Sequence, residues 1–333
     1  TNPVGNAALT AACVSQIVAG GASQAAAQSL IGNILQPAAG QINITTGGNP
    51  DVGVETATTW TVGAVFEPMY NLSFTVDYFN IKVEDAITTP TVNDLVGGCY
   101  DAPSADNPFC SLILRSATTG GLDGSPNEVP GLLLSLSNLG TIKTDGIDVS
   151  MRYRTSLTDD IGFRFSTDGT WTNRNEFQAT PTSVNRECVS YYSVNCGSIQ
   201  PEFVFNTRAT FSFYDELDVS LLWRYLDGVE FEPLQRAESG DAFVGTLPEG
   251  TGPVAGQEVD FNTIPAESYF DLSLRWLATE NFEFVFTVQN LLDNKPTIVG
   301  SDIGSTAYNS GNIYPSTYDA LGRRYAAAVK LRF

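Results

Sequence analysis

Between residues 203 and 213 (FVFNTRATFSF) apolar and polar side chains change places at almost every step. Phe203, Phe205, Phe211 and Phe213 take one parity, and Asn206, Arg208, Thr210 and Ser212 take the other. A period of two marks a β-strand with two unlike faces. The pattern recurs at 147–157, 161–171, 217–225, 269–277 (YFDLSLRWL), 282–291 (FEFVFTVQNL) and 325–333, and more weakly at 60–66 and 72–78. Together these predict nine strands, each with an aromatic and aliphatic face opposite a face that carries charges of both signs. The charged positions fall at strand centres: Asp148, Arg152, Arg164, Asp168, Arg208, Asp218, Arg224, Asp271, Arg275 and Glu283. A soluble sandwich rarely places Arg and Asp there so often. In a transmembrane barrel the apolar face meets lipid and the charged face meets a wet or plugged lumen, so this pattern is the expected one.

The connections alternate in length. Residues 67–71, 158–160, 215–216 and 278–281 are tight turns, whereas 84–138, 175–202, 228–266 and 293–323 are long excursions, as is the opening stretch 1–58. Short turns on one side and long loops on the other are the outer-membrane arrangement, with the long loops extracellular. Residues 7–35, rich in Ala and Gln, suit short helices within the opening loop. No apolar run approaches the ~20 residues of a membrane-spanning helix, so any crossing is made by strands.

Charge sharpens the picture. The 333 residues carry 17 basic and 37 acidic side chains, a formal charge of -20, and the five long segments hold 22 of the acidic against 5 of the basic ones. Such a surface argues against nucleic acid as a partner. It disfavours strongly anionic ligands and could hold Ca²⁺ in the loops, the only cofactor the composition suggests. The five cysteines all lie in the long segments, which fits an oxidising compartment. Cys99 with Cys110 and Cys188 with Cys196 are the natural local pairs, leaving Cys13 for a cysteine preceding residue 1. The chain has no histidine, which removes histidine-based triads, zinc hydrolases and general bases. No carboxylate pair stands out and no phosphate-cradling glycine loop is flanked by a strand and a helix, so an enzyme is not expected.

The stretch GGNPDVGVETATTWTVGAVFEP (47–68) resembles the GNP-D-L-x-P-E-T-A-x-T-W-T-x-G signature of TonB-dependent outer-membrane receptors. The following NLSFTVDYFNIKVEDAI (71–87), and the closing QNLLDNKP (289–296) and YPSTYDALGRRYAAAVKLRF (314–333), resemble that family's next strand pair and its C-terminal segment. One departure is Val52-Gly53-Val54 in place of Leu-x-Pro. The resemblance implies a bacterial outer-membrane antiparallel β-barrel of about 22 strands around an N-terminal plug. Residues 59–333 would be its C-terminal strands, with the plug absent from this chain. It implies energised uptake of a scarce nutrient of the siderophore, cobalamin or oligosaccharide class. It also implies a TonB complex engaged through the plug, a lipid surround, and barrel-assembly machinery that reads the terminal aromatic, which Phe333 matches. A passive pore or a surface-binding barrel would share the strands or the loops but not these motifs. Among loop aromatics, Tyr191, Tyr192 and Tyr308 are candidate ligand contacts, while Tyr314 and Tyr318 sit within the closing motif and suit a structural role.

Overall fold

A computed structural model describes residues 4–37, 41–104, 106–181, 183–193, 195–196, 199–300 and 313–332. Its main sheet contains nine long strands in strict chain order, each hydrogen-bonded to its sequence neighbour. They are β1 (Thr56–Met69), β2 (Leu72–Thr88), β3 (Ser137–Ser156), β4 (Ile161–Gln178), β5 (Phe203–Phe213), β6 (Leu217–Leu226), β7 (Glu267–Thr279), β8 (Phe282–Gln289) and β9 (Arg324–Leu331). A two-residue strand, Arg186–Glu187, pairs with β4 off this path. All nine alternating segments are therefore strands of one meander. Strands β2, β3 and β4 run to 17, 20 and 18 residues, well past their alternating cores. About 9–11 residues suffice to cross a bilayer, so the extra length lies beyond the part that lipid patterns.

The register puts like faces together. Phe205 pairs with Tyr225, Trp223 with Phe270 and Phe286 with Ala327, while Ser212 pairs with Asp218 and Asp218 with Arg275. The tight turn after β5 has positive φ at both Tyr214 (53°) and Asp215 (55°), with Glu216 N–H donating to the Phe213 carbonyl at 3.0 Å. Two successive left-handed residues match the right-handed twist of a hairpin. On the apolar face, rings meet across strands: Phe163–Phe211 at 5.0 Å, Phe205–Trp223 at 4.8 Å and Trp60–Tyr78 at 5.1 Å. Over much of this face the described residues place no protein cover. Trp60, Phe66, Trp276 and Tyr325 are 48%, 64%, 49% and 65% exposed, as lipid-facing side chains must be.

The chain divides into two compact units. One comprises residues 1–57, 83–142 and 177–186, and the other 58–82, 143–176 and 187–333. In the first, helices Ala7–Ala19 and Gln24–Leu30 lie in the opening segment. Helix Val92–Tyr100 starts at a reciprocal cap, in which Asp94 N–H donates to Thr91 Oγ1 and Thr91 N–H to the Asp94 carboxylate. Strand Ile44–Gly47 runs parallel to Gly131–Ser135, which pairs on its other side with Ile113–Leu114. Leu95, Cys99, Cys110, Ile113 and Leu132 are buried together, and Cys99–Cys110 is a disulfide. The opening loop and the 84–138 loop thus share one core rather than forming separate excursions. Arg115, 7% exposed, is held by neutral partners: it donates to Gln16 Oε1, the Gly120 carbonyl and the Tyr100 hydroxyl. Among the described residues Cys13 has no disulfide partner; it is 1% exposed, and burial pushes its pKa up. Among the described residues no helix is long and apolar enough to cross a membrane, which says nothing against strands doing so.

Candidate functional site

Two features of the second unit bear on function: the charged face of the sheet and a folded cluster of loops. On the charged face, each central side chain that the alternation singled out has a partner on another strand, and Arg164 reaches across β5 to find its own on β6. Asp218 takes Arg164 at 3.2 Å and Arg275 at 3.5 Å, and Arg275 reaches on to Glu283 at 3.1 Å. Arg224 grips Asp271 at 3.0 Å, Arg152 grips Asp168 at 2.6 Å, Arg208 donates to Ser220, and Asp148 accepts from Thr170. These pairs are partly exposed, so each contributes little stability. Their effect is to make the face polar, hydrated and locally neutral. Where β3, β4 and β5 approach the short turns, Arg152, Arg154, Arg164 and Arg208 line a cleft of about 860 Å³ together with Ser and Thr hydroxyls.

The loop cluster is built from segments far apart in sequence. Three very short strands, Tyr191–Tyr192, Val229–Phe231 and Thr263–Ile264, form a sheet with Val229–Phe231 in the centre. One face is apolar and closed. Tyr192, Val229, Phe231 and Ile264 bury against Ile199, Val299, Tyr314 and Tyr318. The Tyr192 hydroxyl donates to the Phe261 carbonyl at 2.6 Å, and Ser193 donates to the buried Glu232 carboxylate at 2.6 Å. Burial raises the pKa of Tyr192 and of Tyr318 and pushes that of Tyr314 up to about 12. Among the described residues the Tyr314 and Tyr318 hydroxyls have no hydrogen-bond partner. The Cys188–Cys196 disulfide closes the loop that carries the first of the three strands.

The opposite face is polar and open. Tyr191 is in register with Glu230, and Glu230 with Thr263, so the three side chains stand in a row across the sheet. They line a cleft of about 430 Å³ with Ser190, Gly228, Val229 and Ile264.

Of the aromatics named from sequence, Tyr191 therefore faces a cleft, Tyr192 belongs to the core with its hydroxyl engaged, and Tyr308 lies outside the described residues, as does Phe333. Tyr314 and Tyr318 are core residues, 4% and 3% exposed. Cys99, Cys110, Cys188 and Cys196 form the two local disulfides. Sequence reasoning missed Glu230 and Thr263. The one signal was the apolar-polar-apolar triplet VEF at 229–231, too short to read alone. Among the described residues no three His, Cys, Asp or Glu side chains converge as a metal site would, and the loop carboxylates stay dispersed.

The family described as TonB dependent receptor-like, beta-barrel matches residues 17–291. None of the curated proteins compared with the chain matches it. Among solved structures, the outer membrane transporter YddB from Escherichia coli is similar at 14% identity and a TM-score of 0.51, covering 88% of this chain and 35% of that one. A ferric enterobactin receptor variant from Pseudomonas aeruginosa, solved with enterobactin, is similar at 13% identity and a TM-score of 0.51, covering 86% of this chain and 33% of that one. At such identity the likeness concerns the fold, and the chain spans about a third of the length of those structures.

Proposed function

We propose, for a chain that belongs to the TonB-dependent receptor-like β-barrel family, that it forms the C-terminal wall and outer loops of an energised nutrient importer in the bacterial outer membrane. The observation that supports this most directly is the two-faced sheet. Its apolar side chains are exposed where lipid would cover them, and its charged side chains are paired across strands on the other face. A wall of that kind can hold a hydrated plug and let it move without uncovering apolar surface to water. The folded loop cluster would capture the nutrient, and the TonB complex would drive its passage through a plug segment. Barrel-assembly machinery and lipid are the remaining partners of this reading. It assigns the chain no catalytic step.

The test is uptake by whole cells carrying the full-length receptor. Import should collapse when TonB is deleted or the proton gradient is discharged, while surface binding persists. Import that continues undiminished and rises linearly with concentration would make the protein a passive pore.

A further inference from the structure

The row Tyr191, Glu230, Thr263 has a chemistry of its own. Two strand spacings make it about 10 Å long, with an aromatic ring at one end, a carboxylate in the middle and a hydroxyl at the other. Its backing is rigid for a loop surface. Glu230 N–H donates to the Ser190 carbonyl at 2.8 Å, Phe231 N–H to Asn262 at 2.8 Å, and Glu232 N–H to Tyr192 at 3.0 Å. Beneath it lies the buried face of Tyr192, Val229, Phe231 and Ile264. Such a platform is held by its core and its disulfide before any ligand arrives, so binding does not have to order it.

Among the described residues no basic side chain lines the cleft. The basic residue in that loop, Arg236, is ion-paired with Asp241. An anionic ligand, including an anionic ferric chelate, would meet Glu230 within the cleft, while Arg236, which feels the Glu230 charge, is held by Asp241. Among the described lining residues a bare cation would find one carboxylate, Glu230. A molecule with a flat apolar patch and several hydroxyl donors satisfies every group present: its ring covers Tyr191, its hydroxyls donate to Glu230, and Thr263, whose own hydroxyl donates to Asp260 at 3.3 Å, accepts one bond more.

We propose that the Tyr191–Glu230–Thr263 row is a binding platform for a neutral saccharide of about two rings. This rests on the importer reading only for what happens after capture. The carboxylate is the discriminating group. A hydrogen bond to a charged acceptor is among the stronger kinds, and its loss corresponds to about tenfold or more in affinity.

The experiment uses the full-length receptor, purified from outer membranes in detergent, on an array of neutral oligosaccharides with sialylated and amino sugars alongside. The Kd of the best neutral binder is then measured by calorimetry. At least one neutral glycan should bind. Tyr191→Ala and Glu230→Gln should each weaken it about tenfold or more, whereas Tyr191→Phe, which keeps the ring, should stay within about threefold. Heat-modifiable migration on gels checks that each variant is folded. The proposal is overturned if a folded receptor binds no neutral glycan, binds only charged ones, or binds equally well in the Ala and Gln variants. Uptake of the same glycan in cells lacking TonB keeps the two ideas apart. Glycan binding that needs Tyr191, together with uptake that ignores TonB, would leave the platform standing and remove the energised importer.

Discussion

Replacing Phe231 by alanine should unfold the loop cluster while leaving the strand wall intact. Phe231 is 3% exposed, its ring lies 6.1 Å from that of Tyr192, and its neighbours come from four separate segments. Burying a phenylalanine removes roughly 150–250 Å² from water, which at about 25 cal/mol per Å² gives around 4–6 kcal/mol, and Phe→Ala changes in cores cost about 3–5. A figure of about 4 kcal/mol is large beside a core of eight buried residues. It corresponds to roughly a thousandfold rise in the open fraction of that cluster. Hydrogen exchange on the full-length receptor reads this directly at three amides, those of Glu230, Phe231 and Glu232, whose partners are Ser190, Asn262 and Tyr192. Their protection should fall by about 10²–10³, while the amides of β5, β6 and β7 keep theirs. Wall amides deprotected to the same degree would mean that loops and wall melt as one cooperative body. Cluster amides unchanged within tenfold would mean that the core does not hold the sheet.

Three further outcomes are expected. Non-reducing peptide mapping should return Cys99–Cys110 and Cys188–Cys196, with Cys13 alkylated only after denaturation; opening either bridge should cost its loop about 3 kcal/mol on the chain-entropy account and speed proteolysis there. Burial pushes the pKa of Tyr314 up to about 12 in the fold, whereas an unfolded tyrosine ionises near 10. Its folded pKa is the higher of the two, so its contribution is whole below pH 10 and is lost as pH rises toward 12, by about 2–3 kcal/mol. Protection of the loop-cluster amides should decline over that window, and a cluster equally protected at pH 9 and pH 12 would refute the assignment. Gly131 sits at φ +74°, where an added Cβ would fall 1.9 Å from the Asn43 carbonyl oxygen. Gly131→Ala should therefore destabilise the first unit by at least about 2 kcal/mol, seen as faster cleavage near 113–135.

The wall was legible because each of its strands states its own two faces. In Leu217–Leu226 or Glu267–Thr279 a reader needs only the alternation, and the register then follows from turns as short as Tyr214–Glu216. The loop cluster was not legible, because no segment in it is long enough to show a period. Tyr191 and Tyr192 are neighbours of the same type, and only their pairing with Glu230 and Phe231 decides which faces the cleft and which the core. Nor could the sequence show that 44–47 would meet 131–135 in parallel, since both are brief and separated by two wall strands. The cysteine pairs were readable from spacing because each closes a loop local to one excursion.

The partition of charge has a consequence for selectivity. Along most of the wall, arginines and carboxylates neutralise one another within a few ångströms, with Arg154 and Arg208 in the cleft near the short turns outside these pairs. Most of the formal charge of -20 therefore resides in the loops. At physiological salt those exposed carboxylates act over only about 8 Å. Their field repels anions at the surface but cannot choose between two neutral ligands, or between two anions of equal charge. Discrimination must then come from groups that touch the ligand. Among the described residues of the loop cluster the charged group lining the cleft is Glu230, whose strand is fixed from below by Val229 and Phe231. A receptor so arranged would show ligand preference that changes little with salt, and would lose it with a single carboxylate.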